Sequence, residues 1–129
     1  MILPTPFFDR PFAHRALHDK SKGRPENSVE AINAAIAAGY GIEIDVQPSK
    51  DGFAMVFHDY DMTRLAGIKG PIATRLKSEL SEITLTGGES GIPTLQEALA
   101  LIAGRVPILI EVKDQDGAMG PNVGALEQA

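Results

Sequence analysis

Apolar and polar positions recur with two different periods along this chain, and the switches between them divide it into helices and strands. In "NSVEAINAAIAAG" (27–39), Val29, Ile32 and Ile36 share one helical face with Ala35 beside them. The pattern predicts a helix capped by Asn27, with Glu30 at the reciprocal capping-box position and Gly39 at its end. A second helix is predicted in "PTLQEALALIAG" (93–104). There Thr94 and Glu97 make a capping box, Leu95, Leu99 and Ile102 the apolar stripe, and Gly104 the stop. Shorter apolar runs read as strands: "RPFAHRA" (10–16), "GIEIDVQ" (41–47), "FAMVFHD" (53–59) and "VPILIEVK" (106–113). The last is nearly continuous, as expected when both faces of a strand are covered. Only "QPSKDG" separates the second run from the third, too little for a helical crossover of about a dozen residues. Asp51-Gly52 is a favoured hairpin dipeptide, so a turn without a helix is expected, in either strand direction. "HDYDMTRLAGIKGPIATR" (58–75) reads as loop and "LKSELSEI" (76–83) as a short helix or single turn. Val123 and Leu126 begin a helical spacing that has no second turn. Strands alternating with helices predict an α/β protein with a mostly parallel sheet.

Each apolar strand carries unusual polar residues at or near its C-terminal end. The first has His14 and Arg15, the second Glu43 and Asp45, the third His58, the fourth Glu111 and Lys113. Singly, each has a bland reading: a wet edge, a satisfied histidine, a turn anchor beside Asp59, a bracing ion pair. In α/β folds that end of the strands is where chemistry sits, and coincidence in all of them is harder to accept than in one.

Electrostatics sharpens the point. Residues two apart on a strand are separated by ~6.6 Å of rise, and at an effective dielectric of ~20 two carboxylates at that spacing repel by ~2.5 kcal/mol. A divalent cation turns the repulsion between Glu43, Asp45 and Glu111 into attraction. Three oxygen ligands without cysteine suit Ca²⁺, Mg²⁺ or Mn²⁺ better than zinc. Arg15 and Lys113 supply charge for a phosphate, and His14 and His58 supply a proton acceptor and a proton donor. Metal, phosphate clamp and acid–base pair together point to phosphoester cleavage.

Composition narrows the picture only a little. The 129 residues are 43% hydrophobic and 22% charged, enough for one domain with a core. A net charge of −5 argues against a nucleic-acid partner. The absence of cysteine suits a reducing cytoplasm. The opening "MILPTPFFDR" has no basic leader and is broken by Pro4 and Pro6, so no signal peptide is expected. No apolar run is long enough for a membrane anchor.

"AHRA", "PENSVEAI", "IEIDVQPSKDGFAMVFHD", "IPTLQEAL" and "ILIEVK" resemble, in order and spacing, the successive motifs of the glycerophosphodiester phosphodiesterase family. The resemblance runs from about Phe12 to Lys113 and returns weakly in "VGALEQA". It implies a TIM-type (β/α) barrel and hydrolysis of a glycerophosphodiester to glycerol 3-phosphate and an alcohol. It implies metal ligands at Glu43, Asp45 and Glu111 for Ca²⁺ or Mg²⁺, acid–base histidines at His14 and His58, and Arg15 and Lys113 near the phosphate. It also suggests attack by the substrate's own glycerol hydroxyl, although no residue here requires that over attack by water. His18 matches no motif and reads as a loop residue.

Two departures stand out. The family's usual glycine after "HR" is Ala16 here, expected to crowd the first loop slightly. A full barrel takes about 250 residues, so residues 1–129 are expected to be a single partial domain, the N-terminal half with about four strands, cut from a longer chain. Such a half has open sheet edges through which a second copy can associate. The alternatives are a related phospholipase preferring intact lipid and a non-catalytic half-barrel acting by association.

Overall fold

The computed structural model describes residues 12–113, so the readings placed on 1–11 and 114–129, including "VGALEQA", lie outside the described residues. The strands are β1 (Phe12–His14), β2 (Gly41–Pro48), β3 (Ala54–Val56) and β4 (Ile108–Val112). The helices are α1 (Val29–Ala38), α2 (Thr63–Ala66), α3 (Lys77–Leu80) and α4 (Leu95–Ile102), with single 3₁₀ turns at Lys20–Lys22 and Ile72–Thr74.

β2 is the hub of the sheet. It pairs parallel with β1 and with β4, and antiparallel with β3. Glu43 is matched to both His14 and Leu109, and Val46 to both Val56 and Val112. A residue has only two edges, so β4 runs along one side of β2 while β1 and β3 share the other, end to end. The strand direction left open by the sequence is thus antiparallel. The Ser49 hydroxyl builds that turn, accepting from Phe53 N–H at 2.9 Å and donating to Asp51 at 2.6 Å, while Gly52 takes φ +87°.

Period-two alternation sends Ile42, Ile44 and Val46 to one face of β2 and Glu43, Asp45 and Gln47 to the other. The aliphatic set is fully buried with Ala31, Ile32 and Ala35 of α1 and Ala98 and Ile102 of α4. Each such isoleucine contributes about 2 kcal/mol of burial. The two helices therefore cover one face of the sheet, as in a β/α barrel, and leave the carboxylate face turned away from them.

Several local expectations shift. Ser28, not Asn27, caps α1, its hydroxyl accepting from Ala31 N–H at 3.0 Å. Glu30 bonds the Ser90 hydroxyl and makes no reciprocal cap. The Thr94–Glu97 capping box of α4 is present as expected. Leu99, however, is 44% exposed, and the buried stripe runs through Ala98 and Ile102. Ala103 closes that helix in the left-handed region, one residue before Gly104. The stretch 58–75 is more than loop. It holds α2 and a 3₁₀ turn, and with the residues that follow it builds a second core of Met55, Phe57, Met62, Leu65, Ile72, Leu80, Leu85 and Ile92. Its turns are too short for a helical period to accumulate, which is why the pattern looked irregular. β4 is not covered on both faces: Leu109 and Glu111 are exposed, and among the described residues β4 pairs only with β2.

Candidate active site

Register brings the acids together. Asp45 of β2 lies opposite Glu111 of β4, and Glu43 lies opposite His14 of β1. One carboxylate oxygen from each of Glu43, Asp45 and Glu111 falls within 4.8 Å of the others. The three environments differ sharply, with side chains 13%, 1% and 57% exposed respectively. Burial, and then the charge of Asp45, pushes the Glu43 carboxyl up from its ordinary value. The Lys113 ammonium, 3.1 Å away, holds Glu111 down. Lys113 also lies 3.8 Å from Asp45 Oδ1.

Within this cluster, two buried oxygens have no hydrogen-bond donor among the described residues, Glu43 Oε1 and Asp45 Oδ1. Stranding such an atom costs about 1–3 kcal/mol, and more when it is charged. Lys113 sits too far from Asp45 Oδ1 for a hydrogen bond, and nothing donates to Glu43 Oε1. An oxygen-only set with orphaned, charged acceptors fits a divalent cation.

The turn after β1 sets the neighbouring cation. Arg15 and Ala16 both adopt left-handed backbone, φ +53° and +63°. Ala16 N–H extends the β1 pairing to Glu43 O at 3.0 Å, and Arg15 O accepts from Asn27 N–H at 2.8 Å. Ala16 is thus strained in its backbone, a different effect from the crowding expected where the family carries glycine. This turn places Arg15 Nε 3.8 Å from Asp45 Oδ2. Its Nη1 donates to Glu26 at 2.6 Å, and its Nη2 meets His58 Nε2 at 2.9 Å.

His58 is fixed from several sides. Its Nδ1 lies 2.8 Å from Asp59 Oδ1. The buried Gln47 amide donates to the carbonyls flanking it in sequence, Phe57 O at 2.8 Å and Asp59 O at 2.7 Å. Arg64 and then His58 hold the Asp59 carboxyl down at about 2. His14 is the outlying member: 67% exposed, it meets Glu43 at 3.4 Å through Nε2. His18, exposed, lines a cavity of about 210 Å³ together with Arg15, Lys20, Glu26 and Arg64.

All seven residues singled out from the sequence therefore meet around one end of the parallel strands. Four more were missed. Asn27, cast as a helix cap, instead uses its left-handed backbone, φ +57°, to aim its amide at Asp45 Oδ2, 3.1 Å away. Glu26, with a side chain 4% exposed, bridges Arg15 and Arg64. Asp59 entered only as the neighbour of His58, and Arg64 not at all. Glu26 and Asn27 do stand in "PENS", and two polar residues directly before a good capping serine were the available signal.

A sheet whose parallel strands carry acids and the His14 imidazole near their C-terminal ends, backed by helices on the other face, has the architecture of a β/α-barrel site. The chain belongs to the glycerophosphoryl diester phosphodiesterase family, whose model matches residues 14–128. It is 36% identical over 110 residues to a glycerophosphodiester phosphodiesterase of Bacillus altitudinis, covering 79% of this chain and 43% of that protein. Among solved structures it is similar to a glycerophosphodiester phosphodiesterase from Thermotoga maritima (40% identity, TM-score 0.66, 78% of this chain and 42% of that one). It is also similar to an Oleispira antarctica phosphodiesterase solved with its product sn-glycerol-3-phosphate (30% identity, TM-score 0.71, 84% and 46%). The chain spans less than half the length of these relatives. Its fold is accordingly an incomplete TIM-type barrel.

Proposed function

We propose that residues 1–129 are a single partial domain carrying the metal-binding and acid–base side of a phosphodiesterase site. The complete protein hydrolyses glycerophosphodiesters to glycerol 3-phosphate and an alcohol. The observation that carries this reading is the Glu43 carboxyl, clustered with two further carboxylates and with its buried Oε1 lacking a donor among the described residues. Glu43, Asp45 and Glu111 would hold Ca²⁺ or Mg²⁺, which when bound supplies Lewis-acid stabilisation of charge on the phosphoryl oxygens.

The side chains supply the rest. Asp59 remains ionised at working pH and accepts the Nδ1 proton of His58, so the lone pair of neutral His58 lies on Nε2. That nitrogen is the general base. It takes the proton of the attacking hydroxyl as the new P–O bond forms. Attack by water gives glycerol 3-phosphate directly, whereas attack by the substrate's glycerol hydroxyl gives a cyclic glycerol phosphate that water then opens to glycerol 3-phosphate with the two histidine roles exchanged. Arg15 now faces Nε2 and moves its charge to the phosphate when substrate arrives. Lys113 adds a second positive charge. His14, whose Nε2 lies 3.4 Å from Glu43, in its protonated form gives a proton to the departing alcohol oxygen as the old P–O bond breaks.

The test uses the full-length protein and glycerophosphocholine, following release of glycerol 3-phosphate with added Ca²⁺ or Mg²⁺. Glu43→Ala is expected to lower turnover at least ~100-fold through weaker metal binding; ordinary turnover in that variant overturns the reading. Preference for intact lipid would move the assignment to the related phospholipase class. A second reading, association without catalysis, draws on the edge of β4 that is unpaired among the described residues and on Leu109, 49% exposed. It predicts a stable oligomer that binds metal without turnover. No helix among the described residues is long and apolar enough to cross a membrane. A cytoplasmic place of action completes the proposal, supported by the cysteine-free composition.

A further inference from the structure

Five charged or titratable side chains beside the acid cluster close into a ring. Arg15 Nη1 donates to Glu26 Oε2 at 2.6 Å, and Arg64 Nη2 meets Glu26 Oε1 at 2.5 Å. The second contact has the distance of an ion pair but not the alignment of a hydrogen bond. Arg64 then forks onto Asp59, Nε to Oδ2 and Nη2 to Oδ1, both at 2.8 Å. Asp59 Oδ1 lies 2.8 Å from His58 Nδ1, and His58 Nε2 returns to Arg15 Nη2 at 2.9 Å. The ring ties together the turn after β1, the residues before α1, the end of the β3 segment, and α2 of the second core.

We infer that Arg64 is a positioning residue for the phosphodiester reaction, fixing the tautomer of His58 through Asp59 and the place of Arg15 through Glu26. The inference rests on the reading of His58 as general base. Each contact leaves one arrangement open. A guanidinium fork occupies a lone pair on each oxygen of Asp59 and sets the plane of the carboxylate. What remains for His58 Nδ1 is an acceptor, so Nδ1 must carry the proton. Arg15 reaches the same answer from the other side, since a guanidinium can only donate and Nε2 must therefore offer its lone pair. Through Glu26, the same arginine holds the cation that reaches Asp45. Arg64 touches none of the three clustered acids, and its side chain is 54% exposed. Lysine cannot replace it, because an ammonium has no planar fork.

A plain tether between α2 and the rim would use the same contacts, so the test must read something a tether does not affect. In the full-length protein, Arg64→Ala is expected to lower kcat about 10- to 100-fold while KM for glycerophosphocholine changes less than about threefold. Arg64→Lys should restore little of this. Asp59→Asn, which can present an N–H to Nδ1 and so favour the wrong tautomer, should cost more than either. Nitrogen-15 spectra of the histidines should show His58 as the Nδ1–H form in the parent and as a mixture in Arg64→Ala. Parent-like kcat in folded Arg64→Ala, full rescue by lysine, or an unchanged tautomer in the spectra each overturns the proposal. Should Arg64→Ala not fold, Arg64→Lys with the same two readouts decides. A parent that is folded, metal-loaded and inactive instead sinks the phosphodiesterase reading, and the spectra still judge the role of Arg64 separately.

Discussion

Strands β2 and β4 carry the same kind of sequence, aliphatic residues alternating with acids, and they lie side by side in register. Their surroundings differ. β2 is buried along most of its length, while β4 alternates between half-buried and exposed positions. Asp45 and Glu111 face each other across the pair, yet one side chain is 1% exposed and the other 57%. The difference arises from neighbours and not from the residues themselves: among the described residues, β2 has a strand on each edge, whereas β4 is paired along one edge. Similar patterns thus yield one strand that carries its polar groups under strain and another that leaves them in water.

The largest effect should separate the two acids. Asp45→Ala is expected to weaken Ca²⁺ or Mg²⁺ binding by at least about 100-fold, and Glu111→Ala by about tenfold, because water can take the place of an exposed ligand. Titration calorimetry on the full-length protein checks this, and equal losses would erase the distinction. The aliphatic faces give the next contrast. Ile44→Ala should cost about 3 kcal/mol in urea unfolding, and Leu109→Ala less than about 1 kcal/mol. A comparable cost at Leu109 would mean that this face is covered.

Asp59 offers a reference acid whose partners are all in place. Its carboxyl is held at about 2, below the ordinary 3.8, so its contribution is complete above that ordinary value and is lost as pH falls through about 2. Asp59→Asn should cost about 1–2 kcal/mol at neutral pH, allowing for partial exposure. It should also flatten the stability profile between about pH 4 and 2; an unaltered profile would contradict the pairing with Arg64. Ala16→Gly carries the smallest expectation, a gain below about 1 kcal/mol from relief of the left-handed backbone, partly offset by the lost buried methyl. Calorimetric melting that shows a loss would mean that the methyl outweighs the strain.

What the sequence made legible was whatever a strand or helix period displays. Glu43 and Asp45 stand out because acids break an aliphatic run, and the Thr94 cap because its box is local. What stayed hidden depends on backbone that reverses direction. Asn27 and Ser28 are both good capping residues, and only the left-handed geometry at Asn27 decides that one caps while the other reaches Asp45. Arg64 lies in a helix of four residues, too short to show a face, and its partners Glu26 and Asp59 come from two other segments. The second core escaped notice because its residues collect from short turns with no shared period.

Gln47 sits two positions beyond Asp45 on the same strand, and its amide grips the peptide carbonyls on either side of His58. When thermal motion bends or slides that strand, the imidazole is expected to travel with Glu43 and Asp45 as cargo on one carriage. The spacing from His58 to Glu43 and Asp45 is thereby expected to hold as the sheet breathes, although they come from different stretches of chain.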